Sequence, residues 1–167
     1  MGVENNQDEK QFAQIQDIRL IEKAVRRIVR AHDLQSRALA KQSSLTAAQR
    51  VIMKGIVELG EVTSAVLSNY ADISPATVVI ILDNLEERGL IQRYRSANDR
   101  RIVHTRLTES GLNLLTRSPE PMGKAFIEGF SHLSHDERGQ LSGAVMQLAE
   151  LMSAGYPAAS SKKRETT

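Results

Sequence analysis

The sequence predicts a mainly α-helical fold carrying one small β-hairpin, on three observations. Apolar residues recur at three- and four-residue steps along most of the chain. Helix-start residues stand just ahead of several of these stripes, at Thr46, Thr63, Ser74, Thr108 and Ser134. The period shortens to two residues only once, immediately after Gly89. The 167 residues, 41% hydrophobic and 25% charged, suit one domain or a small lobe with an oligomerisation arm. No stretch approaches the roughly 18 consecutive apolar residues of a membrane span, and the opening MGVENNQDEK has no apolar core like that of a signal peptide. A soluble, cytoplasmic chain without membrane contact is the expectation. The Met-Gly start lacks the Ser or Thr at position 6 that myristoylation needs, since Asn6 stands there. The absence of cysteine excludes a disulfide framework, a thiolate zinc finger and a cysteine nucleophile.

From Asp17 to about Lys41, Ile18, Ile21, Val25 and Ile28 form one helical row, and Leu20, Ala24, Ala31 and Leu34 form a second. That is more apolar surface than one face of a small domain needs, so this helix is expected to pack against another chain; an ordinary core helix is the alternative. Thr46 and Gln49 make a capping box before a stripe of Ala48, Val51, Ile52, Ile56 and Leu59 that Gly60 ends. Thr63 caps a short helix through Ala71. After a tight connection, Ser74-Pro75 opens a fourth helix: serine accepts a bond from a free N–H, and proline occupies the first position, where its missing donor costs little. Along that helix Val78, Ile81, Leu82 and Leu85 face one way, and Ala76, Ile80, Asp83 and Glu87 the other, flanked by Thr77 and Val79.

Past Gly89 the run Leu90–Arg95 reads as a strand, Ser96–Arg100 as a polar turn and Arg101–Leu107 as a second strand. From Arg88 to Thr108 inclusive there are six arginines and a single acid, Asp99, although the whole chain is only +2. Such segregation points to a polyanion, with a solvated basic hairpin as the plainer alternative. Thr108 then caps a helix to about Arg117; Pro119 and Pro121 impose a bend. Ser134 with Glu137 opens a last helix bearing Leu141, Val145, Leu148, Leu151 and Met152, and the tail beyond Pro157 has nothing to bury.

A short helix, a tight turn, a second helix and a basic hairpin, in that order over positions 63 to 108, make a winged helix-turn-helix. In that arrangement the second helix enters the major groove of DNA and the wing reaches phosphates or the adjacent minor groove. The run ISPATVVIILDNLEERGLIQRYRSANDRRIVHTRLTESG resembles the recognition helix and wing of the MarR transcriptional regulators, including the Asp-Arg-Arg wing tip and the Leu-Thr-Glu-x-Gly exit. With the flanking helices, the resemblance covers about positions 17 to 153. It implies an obligate homodimer on a palindromic operator of double-stranded DNA, usually a repressor, often released by a small aromatic or anionic effector.

The resemblance makes Arg101 the residue inserted into the minor groove, with Asp99 holding its guanidinium; the alternative for this pair is a surface ion pair of little consequence. Arg100 and Asn98 are expected at phosphates, and Arg93 and Arg95, sharing a strand face, at the DNA backbone. Thr63 and Ser64 are candidates for a phosphate at a helix N-terminus. Ser74, Ala76 and Thr77 belong to the groove-facing start of the recognition helix. Val79 and Ile80 stand where relatives commonly carry polar or basic residues such as Thr and Arg; they either meet thymine methyl groups or pack against the wing. His32 either lines an effector pocket or is structural. His132, His135 and Asp136 are too loosely spaced to be read as a metal site, and no cofactor is expected. No phosphate loop, Ser-His-acid pattern or nucleophile elbow points to an enzyme. The expected organisation is a flexible extension at 1–16, a dimerisation helix at 17–42, a DNA-binding lobe at 43–110, C-terminal dimerisation helices at 111–153 and a disordered tail at 154–167. The competing function is a winged-helix protein-interaction or architectural module without operator specificity.

Overall fold

The computed structural model describes residues 4–154, with side chains from residue 10 onward. Within them the order is α1 (Glu4–Ser43), α2 (Ala47–Leu59), α3 (Ser64–Ala71), α4 (Pro75–Glu87), β1 (Ile91–Arg95), β2 (Val103–Leu107), α5 (Glu109–Arg117), α6 (Lys124–Ser131) and α7 (His135–Ser153). The expected tail falls almost wholly outside the described residues.

The start signals work as their chemistry requires. Thr46 Oγ1 accepts from the Gln49 N–H at 3.2 Å while Gln49 Oε1 accepts from the Thr46 N–H at 2.9 Å. Ser134 and Glu137 repeat that box, and Thr63, Ser74 and Thr108 cap α3, α4 and α5 through single hydroxyls. Each bond satisfies a donor that the first helical turn leaves free.

The core lies between α2, α3, α4, the hairpin and α5. Ile52, Met53, Leu67, Val78, Leu82 and Leu85 are fully buried, and Ile81 packs at the edge, so the inward face of α4 is the expected one. β1 and β2 pair antiparallel from Ile91↔Leu107 to Arg95↔Val103. Thr105 donates its N–H to the Val62 carbonyl at 2.9 Å, which pins the hairpin to the α2–α3 connection. At its base Thr108 donates to the carbonyls of Leu90 (3.0 Å) and Gly89 (2.7 Å). Gly111 follows one turn into α5, where any Cβ would fall on the Leu90 carbonyl oxygen.

Three expectations need correction. The helix expected from Asp17 begins at Glu4, so residues 4–16 are not a flexible extension. They contain no glycine or proline, and their four glutamines and two glutamates propagate a helix already nucleated downstream. The bend at Pro119 and Pro121 is followed by a separate helix, α6, which starts after Gly123 at φ +76°. Both strands start later than expected. The Leu90 N–H closes the end of α4 on the Leu85 carbonyl, and the N–H groups of Arg101 and Ile102 are taken by Asp99, so neither run can begin its ladder sooner.

Outside the lobe the packing changes character. Upstream of Gln35, every described α1 side chain is exposed except the half-buried Val25; Leu39 and Ser43 alone are buried on this helix. On α6 and α7, Phe126, Ile127, Val145 and Leu151 also face solvent. The joint between lobe and C-terminal helices is a buried arginine: Arg50 of α2 holds both Glu120 carboxylate oxygens, at 3.1 and 2.8 Å.

Candidate nucleic-acid interface

α3 and α4 meet at 111°, the angle range of a helix-turn-helix pair. Asp72 makes the corner in the left-handed region (φ 50°, ψ 44°). Ser68 donates to the Ile73 carbonyl at 2.6 Å and holds the turn closed. Ser74 Oγ then accepts from the Thr77 N–H and also bonds the Thr77 hydroxyl at 2.8 Å. Ser74 is therefore first a cap, and Thr77 is held by it.

The outward face of α4 carries Ala76, Thr77, Val79, Ile80, Asp83 and Glu87, all exposed. Ile80 is 68% exposed and Val79 42%, so both present apolar surface to solvent on this face. Two uncovered β-branched side chains on the leading half of a helix are unfavourable in water and suit an apolar partner.

The turn between β1 and β2 is built by its own polar groups. Asp99 Oδ1 accepts from the Arg101 N–H at 2.9 Å, and the Asp99 carbonyl accepts from Ile102 at 3.0 Å. Asp99 thus orients the Arg101 backbone and not its guanidinium, a correction to the expected ion pair. The cause is geometric: a carboxylate two residues upstream in a tight turn reaches the main-chain N–H before it reaches a guanidinium directed away. Arg95 donates to the Arg100 carbonyl at 2.9 Å, and these two arginines line a shallow concavity with Ser96 and Ala97. Asn98 donates its N–H to the Ser96 hydroxyl. The guanidinium groups of Arg95, Arg100 and Arg101 have no carboxylate within ion-pair distance among the described residues.

Arg93 behaves differently from Arg95, its neighbour on the same strand face. Its guanidinium lies against Asp83 at 2.7 Å and Glu86 at 2.5 Å, and its backbone N–H donates to Glu86 at 3.0 Å. The bond from Arg93 holds the Glu86 carboxyl below its ordinary range, and the same contact raises Arg93. Arg93 is withdrawn from the expected DNA contact because two acids on α4 outcompete solvent for it. Sequence spacing carried a faint signal of this clamp: Asp83 and Glu86 stand one turn apart on α4, ten and seven residues before the arginine.

Other residues proved structural. Gln49 donates to Asn84 at 2.9 Å, and Arg88 donates to the Ser44 carbonyl at 3.0 Å, tying α4 to α2 and to the end of α1. Tyr94 donates to Glu61 at 2.8 Å while Arg106 lies 5.3 Å from its ring centre, organising the other hairpin face. Thr63 and Ser64 sit together at the start of α3, half-buried, with Thr63 bonded to the Val66 N–H. His32 is exposed on α1 and does not line the concavity that runs along that helix between Val25 and Arg37. His132 caps α6 and His135 opens α7. No helix among the described residues is long and apolar enough to cross a membrane.

A 111° helix pair whose second member shows an apolar tip, followed by a wing of unpaired arginines, defines a DNA-binding winged helix-turn-helix protein. Residues 45–103 match the MarR family. The uncharacterized HTH-type transcriptional regulator YhbI of Bacillus subtilis (strain 168) is 31% identical over 109 residues, which cover 64% of this chain and 71% of that protein. The transcriptional repressor MprA of Escherichia coli (strain K12) is 40% identical over 68 residues, 41% of this chain and 39% of that one. Among solved structures, the PcaV transcriptional regulator from Streptomyces coelicolor, in complex with its natural ligand, superposes with a TM-score of 0.63 at 20% identity, covering 76% of this chain and 89% of that one. The chain belongs to the MarR family: it is a helix-turn-helix transcriptional regulator and not an enzyme.

Proposed function

We propose that this regulator acts as a homodimeric repressor on a short palindromic operator, in the compartment that holds the DNA, the cytoplasm. The observation that carries the reading is the wing, where Arg95, Arg100 and Arg101 project without carboxylate partners. Each recognition helix sets Ala76, Thr77, Val79 and Ile80 into a major groove, where Val79 and Ile80 meet thymine methyl groups and Thr77 bonds a base or phosphate. Arg101 enters the flanking minor groove, an arrangement suited to narrow A·T-rich sequence of strongly negative potential. Arg95, Asn98 and Arg100 meet phosphates, and a further phosphate sits at the start of α3 beside Thr63 and Ser64. Ser74 and Asp99 act by shaping the backbone. Arg93 holds the wing against α4, so major- and minor-groove contacts move as one body.

α1 and the helices after Thr108 make the dimer, leaving residues 43–110 as the DNA-binding unit. Two-fold symmetry then puts the half-sites about one helical turn, ~34 Å, apart. A small aromatic or anionic effector that binds a wider-set form more tightly weakens operator affinity by the same coupling energy. Repression is named in the relative MprA, and a natural ligand in PcaV.

The test is selection of bound sequences from a random duplex pool near physiological salt, with the mass of the complex measured alongside. An A·T-flanked palindrome bound by two chains is expected. Binding without sequence enrichment would overturn the operator reading in favour of an architectural or protein-interaction module.

A further inference from the structure

Resting on the reading that α4 enters the major groove, we propose that Arg93 acts as a positioning residue that serves DNA binding without touching DNA: it masks the negative charge of α4 so that the helix can lie between two rows of phosphates. The trailing half of α4 is an anion. Along Pro75–Glu87 there are three carboxylates, Asp83, Glu86 and Glu87, and no base. They stand at the C-terminal end, where the helix dipole adds negative charge of its own. Asp83 lies on the same outward row as Ala76 and Ile80, one turn behind the apolar tip, with its side chain 56% exposed. A bare carboxylate there enters the groove with the helix and meets like charge on both walls, a juxtaposition that lowers affinity.

Arg93 reaches these acids from β1, and its guanidinium spans two of them. Nε lies 2.7 Å from Glu86, and Nη2 lies 2.7 Å from Asp83. The Glu86 carboxylate also accepts the Arg93 N–H at 3.0 Å, which fixes the root of the side chain. Among the described residues no other base is paired with an acid of α4. Arg88, at the end of the helix, is bonded to the Ser44 carbonyl instead. With Arg93 the three-residue cluster carries −1, and without it −2. The arginine is itself only 30% exposed, with Nε and Nη2 both taken, so its charge acts on the acids and is not offered to a phosphate.

The test compares full-length variants on two labelled duplexes, the one that the unsubstituted chain selects from a random pool and a mixed-sequence duplex of the same length, with a thermal melt of each variant. Arg93→Gln is expected to weaken binding to both duplexes about fivefold or more, the size of one close like-charge contact in water. Arg93→Lys, which keeps the charge and loses the fork, should stay within about twofold of the unsubstituted chain. The deciding variant is Arg93→Gln with Asp83→Asn, which has no clamp yet keeps the original net charge; it should return to within about twofold as well. If it binds as weakly as Arg93→Gln, the arginine grips a phosphate or merely braces the wing, and the proposal is overturned. Arg93→Gln with Glu150→Gln, which restores the same net charge on α7, should stay weak; recovery there would mean that the place of the charge is immaterial and would overturn the proposal too. So would unchanged binding by Arg93→Gln, or a lysine variant as weak as it. If Arg93→Gln alone does not stay folded, the Asp83→Asn double variant is compared directly with the unsubstituted chain. An unsubstituted chain that binds both duplexes alike would sink the operator reading alone, since the Arg93 effect is then read on the mixed sequence; one that binds neither would sink both.

Discussion

The lobe and the long helices use the same apolar alphabet at the same spacing, yet Val78 and Leu82 are sealed while Ile28 and Leu151 stand in water. In the lobe each stripe has a partner within the chain: α4 lies on α2, on α3 and on the base of the hairpin. On α1 and α7 the stripes have only their own helix. Helical periodicity therefore tells where a helix will form and which face is apolar, but not which chain supplies the cover. The lobe covers its own apolar faces, and the long helices leave theirs open.

The sharpest way to break that contrast is a matched pair of truncations. Leu82→Ala should destabilise the chain by about 2–5 kcal/mol in denaturant melts, because it opens a cavity in a closed core. Leu151→Ala, on an uncovered face, should leave the unfolding of the isolated chain nearly unchanged and act only on association at low concentration. Equal losses for the two would sink the distinction. Gly111→Ala should cost roughly 1–3 kcal/mol through overpacking, since the new methyl group falls on the Leu90 carbonyl and α5 must move.

Within the lobe the comparison sharpens between helix and wing. Arg101→Ala should weaken operator binding by about 1–3 kcal/mol, with thermal stability unchanged, because its guanidinium has no carboxylate partner among the described residues. Ile80→Ala should cost roughly 1 kcal/mol and relax preference for thymine, as read by competition between duplexes. The smallest effect is expected at the clamp. The folded Glu86 carboxyl lies below its ordinary 4.5, so its contribution is present above that pH and disappears as pH falls through the lower folded value. Unfolding curves of the parent and of Arg93→Gln should therefore draw together in acid; a gap that persists there counts against the clamp.

Short-range chemistry was legible in the sequence. The Thr46–Gln49 and Ser134–Glu137 boxes and the Ser74-Pro75 start each depend on neighbours within four residues, and each formed where its residues stood. The inward face of α4 was equally readable from period alone. Contacts across the fold were not. Arg50 looks like any helix-surface arginine until the chain brings back Glu120, seventy residues on, to neutralise it. Arg93 and Arg95 are indistinguishable on a strand, and only the nearness of Asp83 and Glu86 separates a clamp from a free cation. The early start of α1 escaped because Gln- and Glu-rich sequence has no strong stripe, and its helicity is inherited from the turns that follow.

The bond from Arg88 to the Ser44 carbonyl joins the trailing end of the recognition helix to the foot of α1. With Leu39 buried as the pivot, α1 extends about 52 Å on the free side and about 6 Å on the lobe side at 1.5 Å per residue. It is a lever with a mechanical advantage of about nine. Five ångströms of travel at the far tip become roughly half an ångström at the foot, with the force multiplied in the same ratio. A displacement of the far tip about Leu39 would thus reach the helix that reads DNA as a small adjustment.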